Sequence, residues 1–191
     1  DNYGRDVLSR LMAGSKITLI IGIGTVFFGC SIGTMVGALT GYYGGLVDNV
    51  LMRVNDVLFS FPSILLAMVF VSLTGAGNLQ LVIALGIAFI PSYARVVRAE
   101  FIRNKNMDYV MAARLAGASN LRIIFVHILP NTIKVLVSSI LIGFNNAVLA
   151  EAGLSFLGIG VKPPEASLGS MLSDAQTYLF SRPSMVVYPG V

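Results

Sequence analysis

The chain has 191 residues, 55% of them hydrophobic and only 12% charged, with a mean hydropathy of +0.82 and a formal net charge of +4. That charge content is too low to cover the surface of a water-soluble domain of this length, which argues against a soluble globular protein. The single cysteine, Cys30, leaves no disulfide framework and no cysteine-based metal site, and the positive charge is local to one stretch, so it gives no argument for nucleic acid.

Residues 1–16 are polar and amphipathic, with Val7, Leu8, Leu11 and Met12 spaced as on a short helix lying on the outer membrane surface. From Ile17 to Asn49 the only charge is Asp48, from Val57 to Ala94 there is none, and a third apolar block runs from Val135 to Ala150. A helix crosses the bilayer core in roughly 20 residues. The blocks therefore predict four spans, at about 17–43, 57–74, 79 onward and 132–150. No block is followed by a long polar region, as a signal peptide would be.

Within the first span Gly29, Gly33, Gly37 and Gly41 recur every four residues and form one edge that lets another helix approach closely. Gly44-Gly45 ends it, and 46–56 reads as a charged loop carrying Asp48, Arg53 and Asp56. Pro62 predicts a kink or a non-helical entry to the second span, Gly75 to Asn78 a tight turn, and Pro91 a kink late in the third.

The next stretch holds Arg95, Arg98, Arg103, Lys105, Arg114, Arg122 and Lys134 against only Glu100 and Asp108. Basic residues concentrate on the cytoplasmic side, so this stretch is inside. By alternation 46–56 is also inside, and 1–16, the Gly75 turn and the region after Ala150 are outside. Eight of the 13 Lys and Arg then fall inside and five outside. In the inside stretch Asp108 can cap a short helix with Tyr109, Ala112, Ala113 and Ala116 on one face. Gly117 stops it, a side chain there being expected to force the flanking helices apart. Ser119 caps a second helix with a stripe of Leu121, Ile124, Phe125 and Ile128; Pro130 ends that helix and Asn131 caps the fourth span. Spacing alone leaves two readings open: these stripes dock into a groove on a soluble partner, or they lie on the membrane surface.

Asn145 and Asn146 are polar groups inside the fourth span, candidates for a solute path or for hydrogen bonds between helices. Glu151 is expected at the outer boundary, followed by an external segment over 151–182, broken by Gly158, Gly160, Pro163 and Pro164, with a short surface helix over 167–178. There is no phosphate-binding Gly-x-x-x-x-Gly-Lys loop. Gly22-Ile-Gly24 and Gly75-Ala-Gly77 lack the strand context of a dinucleotide site. His127 is the only histidine, so the chain assembles neither a catalytic triad nor a histidine-rich metal site.

Ala112-Ala113-Arg-Leu-Ala-Gly117, then nine residues, then His127-Ile-Leu129-Pro130 resembles the "EAA" loop of ATP-binding-cassette importer permeases, with Met111 at the Glu position and His127 at the Ile position. Asp1-Asn-Tyr-Gly-Arg-Asp6-Val-Leu-Ser-Arg10, Gly41-Tyr-Tyr-Gly-Gly45, His127-Ile-Leu-Pro-Asn131 and Glu151-Ala-Gly-Leu-Ser-Phe-Leu-Gly-Ile-Gly160-Val-Lys-Pro-Pro164 resemble one branch, the second permease subunit of the dipeptide/oligopeptide/nickel family.

The resemblance implies an all-α polytopic transmembrane bundle of the type I, MetI-like importer permease fold over 17–191, multi-pass in a bacterial or archaeal plasma membrane. It also implies six spans, the first before Asp1 and the last after Val191, in keeping with the absent initiator Met and the apolar run that begins at Met185. Tyr109, Ala112, Ala113, Gly117, Ala118, Ser119, Leu129 and Pro130 would form the loop seated in a cytoplasmic ATPase. The implied partners are a second homologous permease subunit in a heterodimer, two cytoplasmic ATP-binding subunits, an extracytoplasmic solute-binding protein and membrane lipid. ATP would be hydrolysed by the partners, so this chain itself holds no cofactor, metal or catalytic residue. Peptides are the expected solute, with nickel as the alternative. Outside the family, an ion-coupled transporter or channel would place carboxylates in mid-membrane, and a membrane enzyme would need a nucleophile–base pair that is not visible.

Overall fold

The computed structural model describes residues 4–190; Asp1, Asn2, Tyr3 and Val191, the outermost residues of the expected surface segment and of the C-terminal apolar run, lie outside the described residues. Helix α1 (Val7–Tyr43) begins where Asp6 accepts hydrogen bonds from the N–H groups of Leu8 and Ser9 at 3.2 and 3.1 Å. The Ser9 hydroxyl and these N–H groups hold the Asp6 carboxyl below the usual carboxylate range. The helix ends at Gly44, whose φ of +66° suits glycine. Its 37 residues extend roughly 55 Å. The expected surface helix is therefore not a separate element but the first turns of α1. Its buried face starts at Gly14 and Thr18, while Leu8 and Met12 are both 62% exposed.

The glycine edge selects the helix that α1 receives. A Cβ on Gly29 would stand 2.9 Å from the Gly86 carbonyl oxygen, one on Gly33 2.6 Å from Tyr93 Cβ, one on Gly37 2.5 Å from the Ala94 carbonyl oxygen, and one on Gly41 2.5 Å from Phe101 Cβ. These approaches advance in step along both chains, so α4 (Asn78–Asn104) runs parallel to α1 at backbone distance. The edge continues upstream through buried Thr25, Gly22, Thr18 and Gly14, and Gly22 accepts Phe144 and Val148. Helix α4 passes unbroken through Pro91.

The second apolar block is not a straight span. Helices α2 (Gly45–Phe59) and α3 (Ser63–Thr74) meet at 86° across residues 60–62, where Pro62 caps α3 and the residue before it is driven out of the helical region. The 12 residues of α3 reach roughly 18 Å, short of a core about 30 Å thick. Among the described residues three helices are long and apolar enough to cross a membrane, and the bent pair passes the same test only when its two halves are taken together. The stretch 46–56 is helix, not loop, because α4 supplies partners along it. Arg98 donates twice to Asp48 at 2.6 Å, Arg95 donates to Asp56 at 2.7 Å and lies 3.8 Å over the Phe59 ring, and buried Asn55 donates to the Pro91 carbonyl at 3.5 Å.

After α5 (Asp108–Leu115), α6 (Asn120–Arg122), a π-helical stretch (Ile123–Ile128) and α7 (Leu129–Phe156) form one continuous rod. Pro130 therefore ends no helix. A wide turn, in which Leu129 N–H donates to the Ile124 carbonyl, makes room for the proline ring. Asn131, expected as a cap, donates instead to the His127 carbonyl at 2.9 Å, and Thr132 to that of Ile128 at 3.1 Å. Beyond α7, α8 (Leu168–Ala175) opens with a Ser167–Ser170 capping box and is followed by a 3-10 turn (Gln176–Tyr178) and α9 (Ser184–Gly190).

Contacts sort the connections into two ends of the bundle. At one, Tyr42 donates to Asn120 at 2.8 Å, and α2 sits on the end of α4. At the other, Arg10 pairs with Asp174 at 3.3 Å, Thr18 with Glu151, and Asn78 with Glu165. This is the division that alternation from the basic stretch predicts.

Candidate functional site

The basic end is built on a helix stop. Helix α5 starts with Met107 as its cap and Asp108 as first residue, so Asp108 meets the positive end of the helix without capping it through its side chain. At its other end Gly117 N–H donates to the Arg114 carbonyl and Ala118 N–H to that of Ala113, both at 3.0 Å, with Gly117 at φ +80°. An added Cβ on Gly117 meets nothing within 4 Å, so the expectation of helices forced apart is corrected: the glycine serves a backbone shape, not a contact. Ser119 then caps α6, accepting from Arg122 N–H at 3.4 Å.

The loop is anchored from beneath. Val110, Ile123, Ile124 and Ile128 are buried against Tyr42 and Phe101, with Ala113, Ala118 and Leu129 packed at the edge. Tyr109 donates to Asn104 at 3.0 Å, and the Arg114 guanidinium lies 5.7 Å over the Tyr42 ring. Ala112, Gly117, Ser119 and Pro130 are exposed. The second expected stripe is divided: Ile124 and Ile128 are buried with Ile123, whereas Leu121 and Phe125 face out at 61% and 56% exposure. The π turn shifts the register, which a regular 3.6-residue spacing cannot anticipate. Leu115, 90% exposed, and Met111 add to this outward apolar surface; Met111 enters the sequence reading only as the residue at the Glu position of the loop, and Leu115 not at all. Their signal was available: large apolar residues on a short helix whose inner positions are alanine and valine.

At the other end of the bundle, at the expected outer boundary, Glu151 is fully buried between helices, because α7 continues past Ala150 by more than a turn. One of its oxygens accepts from the Thr18 hydroxyl at 2.8 Å and the other from the Ser155 hydroxyl at 2.6 Å. Those hydroxyls accept in turn from Leu168 N–H at 3.3 Å and Val161 N–H at 3.2 Å. A carboxylate can stay buried when its oxygens are so satisfied. The network ties α1, α7, the 157–167 segment and the start of α8 together.

Between these ends Asn145 and Asn146 lie exposed on α7, and neither side chain bonds to another helix among the described residues. Asn146 lines a cavity of about 290 Å³ between antiparallel α4 and α7, with Ser92, Tyr93, Ser139 and Gly143; Asn145 is outside that lining. A methyl on Gly143 would overlap the Tyr93 hydroxyl.

Residues 33–189 match the family described as binding-protein-dependent transport system inner membrane component. The chain is 40% identical, over its full 191 residues and 65% of the relative's length, to the dipeptide transport system permease protein DppC of Haemophilus influenzae. It is 39% identical, over all of its length and 64% of the relative's, to the glutathione transport system permease protein GsiD of Pectobacterium atrosepticum. The chain thus spans slightly under two thirds of these curated relatives, both bacterial. In fold it matches a chain of the inward-facing MetNI methionine ABC transporter with a TM-score of 0.79 at 20% identity, covering 95% of this chain and 87% of that one.

Proposed function

The chain belongs to the family of binding-protein-dependent transport system inner membrane components, and on that premise we propose that it is a permease subunit of an ATP-driven importer for peptides in a bacterial inner membrane. The protein works with a second homologous permease as a heterodimer, with two cytoplasmic ATP-binding subunits and with an external solute-binding protein. Its substrate class is argued from relatives named for dipeptide and glutathione transport.

The observation that carries the coupling role is the apolar outer face of the basic end. Leu115 and Met111 on α5, and Leu121 and Phe125 on the first turns of the rod that continues into α7, face outward, while the inner faces of both are packed on the bundle. An apolar surface on a charged end of the molecule suits insertion into a groove on a soluble partner. ATP-driven closure of that partner would press the loop, and α5 with Gly117 would pass the displacement to α1 and α4 through the Tyr42–Asn120 and Tyr109–Asn104 hydrogen bonds. Asn145 and Asn146, on the open face of α7, are the proposed solute-path residues.

Replacing Leu115 by Glu in the full-length permease tests the coupling. Because Leu115 is 90% exposed, the variant should reach the membrane in normal amounts, while recovery of the ATPase with the purified permease falls about tenfold and ATP-driven uptake is lost. Undiminished recovery of the ATPase would remove the docking role. An ion-coupled reading would need a free carboxylate within the bundle. Glu151 is buried there, but Thr18 and Ser155 occupy its oxygens, which favours a structural duty.

A further inference from the structure

The α4–α7 cavity carries polar chemistry that close helix packing alone does not require. Tyr93 crosses the junction of three helices, with its Cβ against Gly33 of α1 and its hydroxyl against Gly143 of α7. The residue is 2% exposed and its hydroxyl has no hydrogen-bond partner. An unpaired buried hydroxyl is costly, and the missing side chain at Gly143 leaves it beside the cavity wall.

The rest of the lining is polar but uncharged. The side chains of Ser92 and Asn146 face the cavity without a side-chain hydrogen bond to the protein, and Ser139 donates only to the Val135 carbonyl at 3.3 Å, so its oxygen is free to accept. Phe89 and Ile142 supply apolar walls. With about 290 Å³, the cavity is at the small end of small-molecule sites, which run from roughly 300 to 1,000 Å³. A charged group would find no counter-ion in this lining, and a metal ion no carboxylate or imidazole. An amide group meets complementary partners on Asn146: the side-chain carbonyl accepts its N–H and the side-chain amide donates to its C=O, while the enclosed Tyr93 hydroxyl backs the wall beside Gly143.

We infer that this cavity is a way-station in the permease that holds one backbone amide of a passing peptide, with Asn146 as the residue that reads it and Tyr93 as the packed wall behind it. The inference rests on the importer reading above and adds the recognition chemistry of the path.

The test uses the full-length permease assembled with its partner subunits and binding protein in proteoliposomes. Uptake of a dipeptide is compared with that of its ester analogue, in which oxygen replaces the amide N–H. The binding protein is the same throughout, so its own preference cancels between permease variants. The wild type should favour the amide by about tenfold. Asn146→Leu should bring the two solutes within about twofold, whereas Tyr93→Phe, which keeps the ring packed on Gly33 and loses only an enclosed hydroxyl, should leave the preference as in the wild type. Equal rates for amide and ester in the wild type, or a preference that survives in Asn146→Leu, overturn the way-station. Absence of ATP-driven uptake of either compound by the wild type overturns instead the importer reading.

Discussion

Gly117 and Glu151 illustrate what one side chain can and cannot announce. A glycine after a short apolar helix signals a stop, and the stop is there; its reason lies in φ of +80°, which a Cβ disfavours even in open space. The expected order follows from that conformation alone. Gly117→Asn, which tolerates the left-handed region, should be nearly neutral, Gly117→Ala should cost about 1–2 kcal/mol, and Gly117→Val more. Thermal unfolding of the full-length permease in detergent measures this, and equal midpoints for Asn, Ala and Val would show that the backbone shape is not what the glycine supplies. Glu151 was legible as a polar residue next to an apolar block but not as a buried one. Its donors, Thr18 and Ser155, lie 133 residues upstream and one helical turn downstream, and only the turn is visible in a local pattern.

At the scale of elements, the four-residue glycine repeat announced a close approach but not its recipient, which is α4 and in parallel orientation. Gly37→Ala drives a methyl to 2.5 Å from the Ala94 carbonyl oxygen and 2.8 Å from Val97 Cβ, and backbone cannot step aside as a flexible side chain can. It should destabilise the permease by about 1–3 kcal/mol, read as a lower unfolding midpoint in a denaturant titration. Gly153→Ala, in α7 with nothing within 4 Å of the new methyl, is the control and should be neutral or slightly stabilising. Similar losses in both would mean that helix propensity, not the seam, governs. Pro62 and Pro130 part company for a related reason. Pro62 stands at an 86° break, whereas Pro130 is absorbed by a π turn and by side-chain donors that satisfy nearby carbonyls.

For the molecule as a whole, the two ends differ in charge. The end with 46–56 and 95–134 carries eight Lys or Arg against Asp48, Asp56, Glu100 and Asp108, a net of +4, and the opposite end has five of each sign. The basic end should therefore face the cytoplasm. In a full-length permease with Cys30→Ser, a cysteine at Leu115 should react with a membrane-impermeant thiol reagent only after the cells are opened, and one at Phe180, 98% exposed at the other end, should react in intact cells. The reverse pattern would invert the topology and sink the coupling role with it. Sequence by itself determined the membrane class, the helical content, the sorting of connections into two ends and the place of the helix stop at Gly117, because runs of apolar residues, charge bias and turn chemistry are local properties of the chain. Only the tertiary structure decided that α1 and α4 pack in parallel, that the second block is bent, that Glu151 is buried and that Tyr93 points its unpaired hydroxyl at Gly143. Each of these depends on which distant backbone fills the space beside a residue, and no spacing along one helix encodes that.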